Sequence, residues 1–106
     1  IWMALNKCGG NSDAPGLHII PKRINNIIKD KNPTVFDWSV SCKYVHDNYN
    51  NNYVNSVFQP GDAILFDHHT LHRTACSPLV TNTRYAIEIW CFSSTYPTIN
   101  QTPILF

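Results

Sequence analysis

The stretch from Gln59 to Phe92, QPGDAILFDHHTLHRTACSPLVTNTRYAIEIWCF, constrains the fold more than any other. Its two apolar runs are short and are bounded by turn or corner residues, the pattern of strands rather than of core helices. Pro60-Gly61 supplies a turn, because proline fixes its own φ and glycine accepts φ values that other residues avoid. Ala63 to Phe66 then reads as a short buried strand, ending abruptly in Asp67, His68, His69, Thr70, Leu71 and His72. A polar loop containing Pro78 and Asn82 leads to Arg84–Phe92, the second strand. Side chains alternate along a strand, so Tyr85, Ile87, Ile89 and Cys91 point one way and Arg84, Ala86, Glu88 and Trp90 the other. The stretch therefore offers a metal ligand among its corner histidines and an anion clamp in Arg84. Glu88, on the Arg84 face, can pair with that arginine or meet a substrate.

A chain of 106 residues with 43% hydrophobic and 12% aromatic content is enough for one folded, β-rich domain. A net charge of +1 with 14% charged residues provides no field for nucleic acid or an anionic membrane. No apolar run approaches the ~20 residues of a spanning helix. Cys8, Cys42, Cys76 and Cys91 lack C-x-x-C or zinc-ribbon spacing and read as reduced thiols, which makes a reducing, cytoplasmic setting the default.

Elsewhere, Ile1 to Leu5 is extended, with Trp2 and Ala4 on one face. Cys8 to Gly16 is a loop by composition, and Leu17 to Ile20 is a short strand in which His18 reads as a hydrogen-bonded structural histidine. Ile24, Ile27 and Ile28 stand at i, i+3 and i+4, which predicts a short amphipathic helix over Pro21–Lys31. Phe36, Trp38, Val40, Cys42 and Tyr44 alternate with polar residues, which predicts a half-buried strand over Phe36–Tyr44. The asparagine-rich His46–Asn55 reads as a surface or hairpin loop, and the tail to Phe106 as an irregular strap. The expected architecture is all-β, part of a double-stranded β-helix (jelly roll, cupin-like) with one short helix and five or six strands.

Gly61-Asp62-Ala63, the apolar run after it, His72, and Arg84 twelve residues later together resemble the C-terminal half of the phytanoyl-CoA dioxygenase family. Trp2-Met3-Ala4-Leu5 followed by Pro15-Gly16-Leu17-His18-Ile19-Ile20-Pro21 resembles that family's segment just after its first two metal ligands. The likeness spans residues 1–22 and 57–92, and departs from the family at Pro21-Lys22-Arg23-Ile24, where relatives often carry Pro-Gly-Ser-His. It implies a non-haem Fe(II)- and 2-oxoglutarate-dependent dioxygenase that hydroxylates a small-molecule or acyl substrate with O₂. In such enzymes two histidines and one carboxylate hold the iron and leave positions open for cosubstrate and O₂. His72 matches the distal histidine. Arg84 matches the residue that pairs with 2-oxoglutarate through two parallel hydrogen bonds, Thr74 a hydroxyl that also contacts it, and Trp2 a residue beside it. No His-x-Asp pair occurs in the sequence, so the resemblance places that pair upstream of Ile1, with residues 1–106 as the C-terminal part of a single oxygenase domain.

Three other readings stay open at this point. His69 and His72, with Asp67 or His68, can form a local cupin-like zinc or other divalent-metal site. A non-catalytic jelly roll can use the same corner to bind a ligand. A halogenase of the same fold differs only at the absent carboxylate.

Overall fold

The computed structural model describes residues 1–26, 28 and 39–91. They form mostly sheet with one short helix: β1 (Trp2–Ala4), β2 (Cys8–Gly9), β3 (Leu17–Arg23), α1 (Cys42–Tyr49), β4 (Val54–Asn55), β5 (Val57–Phe58), β6 (Ala63–Ile64), β7 (Thr70–Thr74) and β8 (Ala86–Glu88). Among the described residues no helix is long and apolar enough to cross a membrane.

All pairing is antiparallel. One sheet has the order β6-β1-β8, a second β4-β3-β7, and β2 pairs with β5. In the first, Trp2 stands opposite both Ile64 and Glu88, and Ala4 opposite Ala86. In the second, Leu17 is opposite Thr74 and Ile19 opposite His72. Directly opposed residues share a face, so each sheet has one inward row. Trp2, Ala4, Cys8, Ala14, Leu17 and Phe58 form the buried cluster, with Ile19, Ile64, Phe66 and Ala86 packed against it. Trp2 is 1% exposed and meets the Phe58 ring edge-on, with centroids 4.9 Å apart. The two sheets thus face each other across a small aromatic core.

The all-β expectation holds at this coarse level, while several elements differ from it. Ala63–Phe66 is strand only at Ala63–Ile64, and Arg84–Phe92 only at Ala86–Glu88. Pairing with β1 nevertheless reaches further: Leu5 donates to the Tyr85 carbonyl, and Ile1 and Ile89 exchange both bonds. Thr70–Thr74, read as corner and loop, is a strand, so His72 sits inside β7. Pro21–Arg23, expected to open a helix, ends β3 instead, because β7 and its corner offer the backbone partners: Arg23 is opposite Thr70, and Ile24 donates to the His69 carbonyl. The register shifts between Ile19 and Arg23, where Pro21 has no N–H to give the ladder. Ile27 and Lys29–Lys31 lie outside the described residues.

The strand expected over Phe36–Tyr44 is overturned where it can be followed. Residues 39–41 are irregular and Cys42–Tyr44 open α1; 36–38 lie outside the described residues. Capping outweighs the alternation. The Ser41 hydroxyl accepts from the Tyr44 N–H, and Asn50, in the left-handed region, closes the helix by donating to the His46 carbonyl. The loop expected from His46 accordingly begins only after Tyr49, and Val54–Asn55 pairs with β3. The tail from Phe92 to Phe106 lies outside the described residues. No disulfide links the four cysteines; Cys8 is buried and the other three are exposed.

Two glycines differ in what they permit. Gly61 (φ 92°) occupies the third position of a turn in which the Asp62 N–H reaches the Gln59 carbonyl, and the space around it is open. Gly9 (φ 79°) faces the Ser56 carbonyl at contact distance. Gly61→Ala therefore costs about 1–2 kcal/mol of backbone strain, whereas Gly9→Ala adds roughly 1–3 kcal/mol of overpacking to the same strain. Chemical denaturation of the two variants should rank them in that order; equal midpoints would contradict the close approach at Gly9.

Candidate functional site

Inward-facing residues fall into successive levels between the two sheets. Thr74, Arg84, Ala86 and Ala4 lie at one end. Trp2, Ile64 and Glu88 share one line of their sheet through the pairings Trp2–Ile64 and Trp2–Glu88, and in the other sheet His72 stands opposite Ile19. Phe66 and Thr70 lie at the other end, where they line an open cleft of about 560 Å³ with Ile1, Cys91, Arg23 and Asp67.

Three side-chain contacts tie the sheets together. At the first level Arg84 crosses from its strand to the facing sheet, where its Nη1 donates to the Gly16 carbonyl (2.9 Å) and its Nη2 to Thr74 Oγ1 (3.4 Å). Its Cζ stands 5.4 Å from the centroid of the Trp2 ring, in the range of a cation–π contact. Arg84, Thr74 and Trp2, widely separated in sequence, are thus brought into one group. A guanidinium carries more N–H donors than those two bonds use. The neighbouring Cys8 thiol is pushed up from its ordinary pKa by burial, with the Arg84 charge opposing that shift.

Beside the cleft the Phe66 and His72 rings meet with centroids 4.3 Å apart. His72 Nδ1 lies 2.9 Å from the Thr70 carbonyl oxygen. A carbonyl only accepts, so Nδ1 is the donor there and Nε2 is the nitrogen left to face a metal or another partner.

At the cleft end Arg23 Nε (3.0 Å) and Nη2 (2.7 Å) both donate to Asp67 Oδ2. The other carboxylate oxygen accepts from the His69 N–H (3.0 Å) and the Thr70 hydroxyl (3.3 Å). The Arg23 bond, chiefly, holds the Asp67 carboxyl below its ordinary pKa. Side-chain exposures of 63% and 42% make this pair a weak contributor to stability.

This geometry bears on the local metal cluster. Asp67 is spent on Arg23 and the corner backbone, and the His69 carbonyl is taken up by Ile24. His68 and His69 lie ring to ring at 4.2 Å. Among the described residues no group of three His, Cys, Asp or Glu side chains is placed to hold one ion.

His18 lies on the opposite face of β3 from the lumen. Arg73 Nε donates to its Nδ1 (3.4 Å), Tyr53 stacks on it at 3.8 Å, and burial with the Arg73 charge lowers its pKa. It acts there as a structural histidine. The Gly16 carbonyl and Phe66 were not legible as site residues: the first is a backbone atom, and the second reads only as an apolar strand residue. Comparison with known proteins gives no match to any family model, curated protein or solved structure.

Two outcomes test these environments. Thiol labelling of the native protein should modify Cys42, Cys76 and Cys91 and spare Cys8 until unfolding; fast labelling of Cys8 would contradict its burial. Asp67, with a folded-state pKa below its unfolded value, contributes stability that is present above the unfolded pKa and lost as pH falls through the folded one. Carboxyl titration by NMR should show the Asp67 midpoint rising in Arg23→Ala; an unchanged midpoint would remove Arg23 as the cause.

Proposed function

We propose that this chain is part of a non-haem Fe(II)- and 2-oxoglutarate-dependent dioxygenase of jelly-roll fold, with Arg84 and Thr74 taking the cosubstrate and His72 acting as one metal ligand. The observation that supports it is the convergence of Arg84, Thr74 and Trp2, with His72 two residues before Thr74 on the same face of β7.

The residues fit the groups the reading requires. The His72 Nδ1–H is held by the Thr70 carbonyl, which leaves Nε2 as the nitrogen to meet a metal, and Phe66 packs against the ring. Arg84 is held in place by the Gly16 carbonyl and retains donor capacity for a carboxylate, which a guanidinium binds in a fixed, two-point orientation. Thr74 adds a hydroxyl to the same end. Trp2, buried against Phe58, supplies an apolar wall that keeps water from the charged pair. The iron centre, when loaded with 2-oxoglutarate and O₂, supplies the oxidising chemistry that hydroxylates a substrate carbon. The remaining ligands are assigned to a His-x-Asp pair, which this sequence does not contain.

Binding of 2-oxoglutarate, followed by calorimetry in the absence of metal, tests the assignment. Arg84→Lys keeps the charge but loses the two-point fork, and should weaken binding by about 10–100-fold, the equivalent of a charge-assisted hydrogen bond. His72→Ala should leave metal-free binding within about twofold of wild type, as a residue outside the anion clamp must. Equal losses in both folded variants, or no binding by the wild type, would overturn the reading. The chain alone should bind Fe(II) weakly; tight stoichiometric binding would contradict a single ligand at His72.

A further inference from the structure

We infer that the open cleft beside His72 binds a carboxylic acid with an apolar body, and that Arg23, held in position by Asp67, recognises the carboxylate. The inference rests on the dioxygenase reading only in calling that acid the substrate. The binding site itself stands on the cleft and its rim.

Arg23 falls in the segment where the motif likeness to the dioxygenase family breaks off, so the likeness assigns it no role. β3 brings it opposite Thr70, and there its Nε and Nη2 both donate to Asp67 Oδ2. Asp67 Oδ1 accepts from the His69 N–H and the Thr70 hydroxyl. Both lone pairs of each carboxylate oxygen are thereby engaged, which closes the acceptor half of the pair. The donor half stays open. Among the described residues Arg23 Nη1 has no partner, and the side chain is 63% exposed. Asp67 thus fixes the guanidinium while leaving donors free to point at a ligand. A carboxylate suits them best, because its bonds to a guanidinium are charge-assisted and directional. Water at this exposed rim screens the repulsion from Asp67, whose charge Arg23 already offsets.

Away from the ion pair the lining is apolar. Ile1, Leu65, Phe66 and Cys91 line the same cleft, and its volume of about 560 Å³ suits a small molecule. Two of the lining residues touch His72 directly: the Phe66 ring packs on the imidazole, and the Thr70 carbonyl lies 2.9 Å from Nδ1. An acid anchored at Arg23 would lay its hydrocarbon along Phe66, so the hydrocarbon rather than the carboxylate approaches the metal ligand. Arg84 bonds to Gly16 and Thr74, neither of which lines the cleft. The two arginines therefore serve different carboxylates, the cosubstrate at Arg84 and the substrate at Arg23.

The test titrates hexanoate, hexanol and hexylammonium into the ¹⁵N-labelled full chain. Hexanoate should bind at least about tenfold more tightly than either of the others, the equivalent of one charge-assisted hydrogen bond. It should shift the Arg23 Nε–Hε resonance together with the amides of Leu65, Phe66 and Thr70. Arg23→Gln, at an exposed position, should abolish the preference. The double variant Arg23→Gln/Asp67→Asn should lack it too, since a loss caused only by a bared Asp67 would be restored there. Arg84→Lys should leave hexanoate binding within about twofold of wild type. Equal binding of the three probes, absence of hexanoate binding, a preference that survives Arg23→Gln or returns in the double variant, or shifts centred on Arg84 would each overturn the inference. Titration of 2-oxoglutarate into the same samples reads the Arg84 end independently. Loss of that binding alone would remove the oxygenase reading and leave the cleft as an acid-binding site.

Discussion

The bond from Arg84 to the Gly16 carbonyl is the contact on which the site depends. It joins the sheet that carries Trp2 to the one that carries Thr74 and His72, beside the buried cluster of Trp2, Cys8 and Leu17. The guanidinium lies over an indole that is almost completely buried, so an apolar wall and a cation share one surface. A charge held in this way is oriented before any ligand arrives. That orientation is what gives an arginine selectivity for a carboxylate over a diffuse anion.

From that anchor, polarity changes along the lumen. The Arg84 end is cationic, the His72 ring packs on Phe66, and Phe66 in turn lines a cleft rimmed by the Arg23–Asp67 ion pair. Antiparallel pairing puts Glu88 and Ile64 beside Trp2, and His72 beside Ile19, so a shift of one residue in β1 or β7 would send His72 or Glu88 to the outer face. The turn at Pro60-Gly61 and the bulge at Pro21 are the local features that set where those registers begin and end.

Much of this was legible in the residues, for identifiable reasons. Alternation put Arg84, Ala86 and Glu88 on one face because a strand's period is two, and pairing with β1 sets Ala86 opposite Ala4 and Glu88 opposite Trp2. Trp2 and Ala4 were likewise placed together and are both buried. The strand at Thr70–Thr74 was missed because His72 and Arg73 are exposed, which hides the strand's inward row from any hydrophobic pattern. Cys42–Tyr44 was misassigned because alternation over a half-exposed segment is weaker than a Ser41 cap and an Asn50 stop, whose partners are backbone atoms. The helix expected at Pro21 failed for a related reason: the edge of β7 satisfied those backbone groups first. Partners of backbone carbonyls, Gly16 above all, leave no trace in side-chain identity.

The central claim is that Arg84, packed on Trp2, is a carboxylate clamp. The most direct measurement is to add 2-oxoglutarate to the labelled protein and follow the Arg84 Nε–Hε and Trp2 indole N–H resonances together. The account predicts saturable, concerted shifts of both, with Arg23 and Arg73 unmoved. Shifts confined to Arg23 or Arg73, or no shift at Arg84 at saturating ligand, would contradict it and leave Arg84 as a purely structural bridge between the sheets.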